Sequence, residues 1–164
     1  MTQAEGAQIR VLQIIVTAFL LGAGSFLAVV AFLVATGNEV SDPAGLGRIL
    51  LGVWAALVVG GLAVWPFVRN RQALLAVAAI GKELGEEGRF KAAQHYATAT
   101  MVGASLAEGT TLLAAVGALV THHSGLLLCG AVGLIGIVLL FPSQQKFQRF
   151  LERGGGRFNP TAPA

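Results

Sequence analysis

"TMVGASLAEGTTLLAAVGALV", residues 100–120, decides what kind of molecule this is. Glu108 is its only ionisable side chain, and the rest is the apolar and small-residue mixture of a membrane helix. Crossing a hydrocarbon core of about 30 Å takes about 20 helical residues. Backbone groups in lipid must be satisfied internally, and no two-residue alternation of the barrel kind occurs here, so the stretch reads as a helix.

Working outward, three more apolar runs reach comparable length. The four candidate spans cover about 9–36, 48–68, 95–121 and 125–141. Of the 164 residues, 55% are hydrophobic and 12% charged, against about 25% charged in a soluble domain. Lipid must therefore be the solvent for much of the chain. The first apolar run is about twice as long as the 7–15 residues of a signal peptide's core, so it is expected to be a retained helix. The fold class predicted is all-α: a polytopic membrane protein with one four-helix transmembrane domain over 1–153. A helical loop at 69–94, a short amphipathic helix near the C-terminus and a loose tail at 154–164 complete it.

Ten of the eleven basic residues lie in three segments: Arg10; Arg69, Arg71, Lys82, Arg89 and Lys91; and Lys146, Arg149, Arg153 and Arg157. The other side holds Arg48 beside Glu39 and Asp42, with His122 and His123. The positive-inside rule then places both termini in the cytoplasm, as for a multi-pass protein of the bacterial inner membrane. Trp65, Tyr96 and His95 fall at the same boundary, where amphipathic rings suit the headgroup level.

Helices in lipid associate through close backbone approach and polar contacts. Gly52, Ala56 and Gly60 form one small-residue row, and Ala99, Gly103 and Ala107 another, continued by Thr111 and Ala115. Both are expected at helix contacts. "GAGSFLAVVAFLVAT" (22–36) overlays "AEGTTLLAAVGALVT" (107–121) without gaps, which points to two duplicated hairpins. In the inner loop, Lys82–Glu86 and Glu87–Lys91 are spaced for i,i+4 pairs, with a helix break expected around Gly85 to Gly88. In the tail, Phe147, Phe150 and Leu151 share a face, leaving Lys146, Arg149 and Arg153 to meet anionic headgroups.

Glu108 lies within a few Å of the middle of its span. An ionised acid there costs at least about 2.5–3.5 kcal/mol, so the neutral acid is the expected ground state. No Lys or Arg occupies the same depth in any span. Ser25, Thr17, Ser105, Thr110 and Thr111 are the candidate hydrogen-bond partners. Three readings stay open: a polar tie between helices, a proton or cation carrier, and a contact with a polar group of another subunit. Glu39, Asp42, His122 and His123 are metal candidates of lower rank, because adjacent histidines on a helix point about 100° apart. Cys129, the single cysteine, reads as a small hydrophobe. No G-x-S-x-G, Walker, H-E-x-x-H or Rossmann pattern occurs, and the net charge of +3 is spread along span edges rather than gathered into a nucleic-acid stripe.

"MVGASLAEGTTLLAAVGALVT" (101–121), followed by a short turn, an apolar span and "FPSQQKFQRFL" (141–151), resembles small four-span bacterial membrane proteins of uncharacterised function. These carry an A-L-x-E-G motif in the third span, where this chain reads Ser105-Leu106-Ala107-Glu108-Gly109. The similarity covers about the last 70 residues. Glu108 in a Gly/Ala-rich helix also resembles the proteolipid subunits of rotary ATPases, which implies a carboxylate that carries an ion. The chain departs from them in its roughly 25-residue connection and in two extra spans. The function expected is therefore that of a non-enzymatic accessory or assembly subunit without cofactors. Its partners would be membrane lipids and other membrane subunits or copies of itself, and not nucleic acid. The alternative is a small ion-translocating component.

Overall fold

The computed structural model describes residues 3–37, 45–82 and 86–153, and all regular structure among them is helical. α1 (Gln3–Thr36), α2 (Leu46–Lys82), α3 (Glu86–Thr121), α4 (Ser124–Leu139) and α5 (Gln144–Arg153) follow in order. The first three, of 34, 37 and 36 residues, are long and apolar enough to cross a membrane. α4 has only 16 residues, so a fourth span exists only if α4 and α5, bent by 83°, are taken together.

The stretch 69–94 is largely the continuation of its neighbours. α2 runs on to Lys82 and α3 already starts at Glu86, so 86–88 are helical rather than part of a break, while Gly85 lies outside the described residues. Gly88 is buried inside α3, and Lys91 pairs with Glu87 at 3.6 Å. Pro66 sits within α2 without ending it. Pro142 does end α4, because the residue before a proline is pushed away from helical geometry. The Leu140 N–H closes α4 on the carbonyls of Gly136 and Ile137, both at 3.1 Å. Ser143 then opens α5: its Oγ accepts the Lys146 N–H at 3.3 Å, the usual service of a serine at a helix start.

The chain divides into two compact units. One comprises 1–16, 64–102 and 141–164. Its core is small on α2 and α3 (Ala73, Ala76, Ala92, Ala93, Ala99) and larger on α1 (Ile9, Leu12, Val16) and on α5, where Phe147, Phe150 and Leu151 are buried. Tyr96 joins them: its ring centroid is 5.3 Å from each of Phe147 and Phe150. Tyr96 is thus buried against α5. The Gln13 side chain donates to the Pro142 carbonyl at 3.1 Å and holds the bend before α5.

The other unit comprises 17–63 and 103–140. Leu27 and Val30 of α1, Ala115 and Ala118 of α3 and Leu126 of α4 make its core. Small residues let the helices close. A Cβ on Gly130 would lie 2.7 Å from Leu27 Cδ1, and one on Gly133 would strike Thr111 Oγ1 and come within 3.1 Å of the Ala107 carbonyl. α3 passes into α4 through His122, whose φ of 53° is left-handed, and His123, which is extended. Thr121 steadies this turn by donating to the Gly117 carbonyl at 2.8 Å and accepting the His123 N–H at 3.3 Å.

Gly52, Ala56 and Gly60 fare differently. All three are exposed, and a Cβ on Gly52 or Gly60 would meet nothing within 4 Å. Among the described residues this row meets no packing partner: α2 turns Leu51, Trp54 and Val58 toward the bundle, while Val53, Leu57 and Val59 are exposed beside the row. Ala99 and Gly103 are buried and Ala107 half-buried, so the α3 row does lie at a contact. Gly133→Ala should lower stability by about 1–3 kcal/mol through overpacking, with much of the loss recovered in Gly133→Ala/Thr111→Ala. Gly52→Ala and Gly60→Ala should be neutral or slightly stabilising. Thermal melting in detergent measures all four; equal losses at positions 52 and 133 would contradict the contacts described.

Candidate functional site

Helix geometry places Glu108 at a rim. Its neighbours one turn back and one and two turns on, Ala104, Thr111 and Ala115, are buried, whereas Ser105 and Leu112 on its other flank are exposed. Glu108 itself is half-buried. The hydroxyls expected to reach it are directed elsewhere. Thr110 Oγ1 and Thr111 Oγ1 both donate to the Ala107 carbonyl at 2.9 Å, and Ser25 Oγ donates to the Gly22 carbonyl at 3.0 Å. Thr17 and Ser105 are exposed. Among the described residues no hydrogen bond or ion pair engages the Glu108 carboxyl. Among the described residues, this half-buried carboxyl thus keeps its oxygens open to a donor or cation from another molecule.

At the turn between α3 and α4, His122 and His123 do not act together. The His122 ring lies against Gly37, with Cε1 at 3.0 Å from where a Cβ would stand there. His123 Nδ1 is buried without a hydrogen-bond partner, as is Trp54 Nε1 in the same unit. Glu39 and Asp42 lie outside the described residues. Among the described residues no group of three His, Cys, Asp or Glu side chains is placed to hold a metal ion. Cys129 is a half-buried thiol.

A third grouping was not assembled from sequence. Arg69 stands one residue beyond the 48–68 span, on the same stripe of α2 as Ala73 and Ala76, which are fully buried. That stripe turns the guanidinium toward the packed side, and Arg69 is half-buried. Burial first, and the nearby Arg153 second, pull Arg69 below the usual guanidinium range, while Tyr96 acts in the opposite sense. Burial and then Arg69 likewise pull the Lys146 ammonium down. Lys146 Nζ donates to the Phe141 carbonyl at 2.8 Å, which fixes it near the α5 start. Arg149, one turn from both Lys146 and Arg153 on α5, is exposed. Nearby, His95 Nδ1 and Gln72 Oε1 are 2.8 Å apart, so His95 is engaged by α2 rather than simply interfacial. The signal that could have found Arg69 was its spacing of four and seven from two alanines, a pattern that marks the inward face of a helix.

Comparison with known proteins gives no assignment: no family model, curated protein or solved structure matches this chain.

Proposed function

We propose that this protein is a non-enzymatic, multi-pass membrane protein that serves as an accessory or assembly subunit of a larger membrane complex. The observation that carries this reading is the face α2 leaves uncovered. No residue in its most apolar 18-residue window is buried by the rest of the chain. On a solitary helix bundle, small residues belong at helix contacts and large ones face lipid. Over 51–60, α2 turns Leu51, Trp54 and Val58 in and leaves the small residues Gly52, Ala56 and Gly60 exposed between Val53, Leu57 and Val59. A smooth outward groove of this kind suits another transmembrane helix better than it suits acyl chains.

In this reading the apolar stretch 125–141 is a fourth crossing with α5 lying at the headgroups, the two hairpins descend from one duplicated unit, and the basic ends of the helices face the cytoplasm of a bacterium. The resemblance of residues 101–151 to small four-span bacterial membrane proteins supports that setting. Ala56→Trp fills the outward groove where nothing in the chain would clash. The melting temperature of the isolated chain should stay within a few degrees, while the particle extracted in mild detergent should shrink to the mass of a single chain. A wild-type particle that is already a single chain, or a variant particle of unchanged mass, refutes the assembly role.

The half-buried, unpartnered Glu108 carboxyl favours a second reading, in which the chain carries protons or cations. Glu108→Gln keeps the shape and removes titration. If this reading holds, the variant assembles normally but proton or sodium flux into liposomes falls to background, and dicyclohexylcarbodiimide labels the wild type at Glu108. Equal flux through both forms leaves the assembly reading alone.

A further inference from the structure

We infer that the occupant of the outward face of α2 is a second copy of this chain, paired α2 to α2 in parallel along a seam from Ile49 to Leu74. The inference rests on the assembly role proposed above and names the partner in it.

The seam is set by spacing. In the unit that holds 17–63, Ile49, Val53, Ala56, Gly60 and Ala63 follow one another at steps of four, three, four and three, and all five are exposed. In the other unit, Phe67, Asn70 and Leu74 keep the same alternation along the same unbroken helix, and they are exposed too. The stripe that α2 turns toward its own chain, Leu51, Trp54 and Val58, lies on the opposite side of the helix. A repeat averaging 3.5 residues is what two helices share when they coil round each other left-handedly. Their crossing angle is then shallow, about 20°, and contact persists along the length.

Three properties of the seam select a copy over lipid or an unlike helix. The first is length. Ile49 to Leu74 spans about 38 Å, against about 30 Å of hydrocarbon. Leu74 is 60% exposed although it follows Arg69, Asn70 and Arg71, so this end of the seam outruns the acyl chains. A second α2 carries apolar residues to the same height; a helix that merely crosses the bilayer stops short.

The second is shape. Ala56, Gly60 and Ala63 are small and sit at the centre, whereas Ile49, Val53, Phe67 and Leu74 are larger and sit toward the ends. Two such helices come closest at Gly60, where a Cβ would meet nothing of its own chain within 4 Å. Their larger side chains then fill the gap that widens on either side. Paired strips about 38 Å long and one helix wide bury roughly 1,000 Å² in total, the threshold for a specific interface.

The third is Asn70, the polar member of the seam. Its amide both donates and accepts, so in a parallel pair it meets its own counterpart and fixes the register, the use a lone asparagine has in coiled coils. Acyl chains or an apolar partner helix offer that amide nothing. Copies insert with the same basic ends on the same side, so parallel is the orientation open to them. Arg71 is exposed at the flank of the seam, where water and headgroups screen its repulsion from the second Arg71.

The test uses the full chain with Cys129→Ala, reconstituted at low density in phosphatidylcholine liposomes and mildly oxidised after single cysteines are introduced. Val53→Cys, Ala56→Cys, Ala63→Cys and Phe67→Cys should each give disulfide-linked dimers. Ala55 and Leu62 are also exposed but lie more than about 100° round the helix from the seam. Ala55→Cys and Leu62→Cys should therefore give about tenfold less dimer, since a disulfide demands closely placed Cβ atoms. Asn70→Ala, combined with Ala56→Cys, should lower the dimer fraction about threefold to tenfold, the worth of one amide contact between membrane helices.

Equal yields at seam and control positions signify random collision and overturn the inference, as does a dimer fraction that Asn70→Ala leaves unchanged. A chain that stays single in liposomes, yet belongs to a larger particle when extracted from its native membrane, overturns the self-pairing and leaves the assembly role standing with an unlike subunit as occupant. A single chain in both settings refutes the assembly role as well.

Discussion

Close approach of α4 to its neighbours is the constraint on which one whole unit of this protein rests. In lipid no water is released when helices meet, so the gain must come from atoms brought within contact distance and from polar groups satisfied across the gap. Gly130 admits the Leu27 side chain, and Gly133 admits Thr111 and the Ala107 carbonyl. Because α4 has only 16 residues, it offers few turns over which to spread these contacts, and each one counts for more. The unit containing α5 is solved differently: alanines on α2 and α3 leave room that large side chains of α1 and α5 fill.

Much of this was legible in the residues. Long apolar runs fix helices whatever their surroundings, and the face of Phe147, Phe150 and Leu151 was visible as a spacing of three and four. What a face packs against was not. Gly52, Ala56 and Gly60 advertise a smooth surface as plainly as Ala99 and Gly103 do, yet only the second row is covered by the chain itself. A row of small residues specifies how near a neighbour can come and says nothing of which neighbour it is. Tyr96 shows the same limit: its ring was legible as amphipathic, but its contacts with Phe147 and Phe150 lie about 50 residues away in sequence.

For the candidate sites, depth along the helix was readable and pairing was not. Glu108 could be placed in the middle of its span by counting, but its lack of an internal donor depends on where three hydroxyls point. Each of them takes a carbonyl of its own helix, the nearest acceptor available to a short side chain in an apolar medium. Arg69 joins Lys146 and Arg153 across about 80 residues of sequence, a distance no local pattern spans.

The Ala107 carbonyl has one further consequence. It receives the hydroxyls of both Thr110 and Thr111, immediately beside the acid. A main-chain acceptor shared in this way holds its own amide donor less firmly, and hydroxyl back-bonding of this type bends helices. The bend that such back-bonding favours would therefore fall beside Glu108, on the half-buried edge of α3.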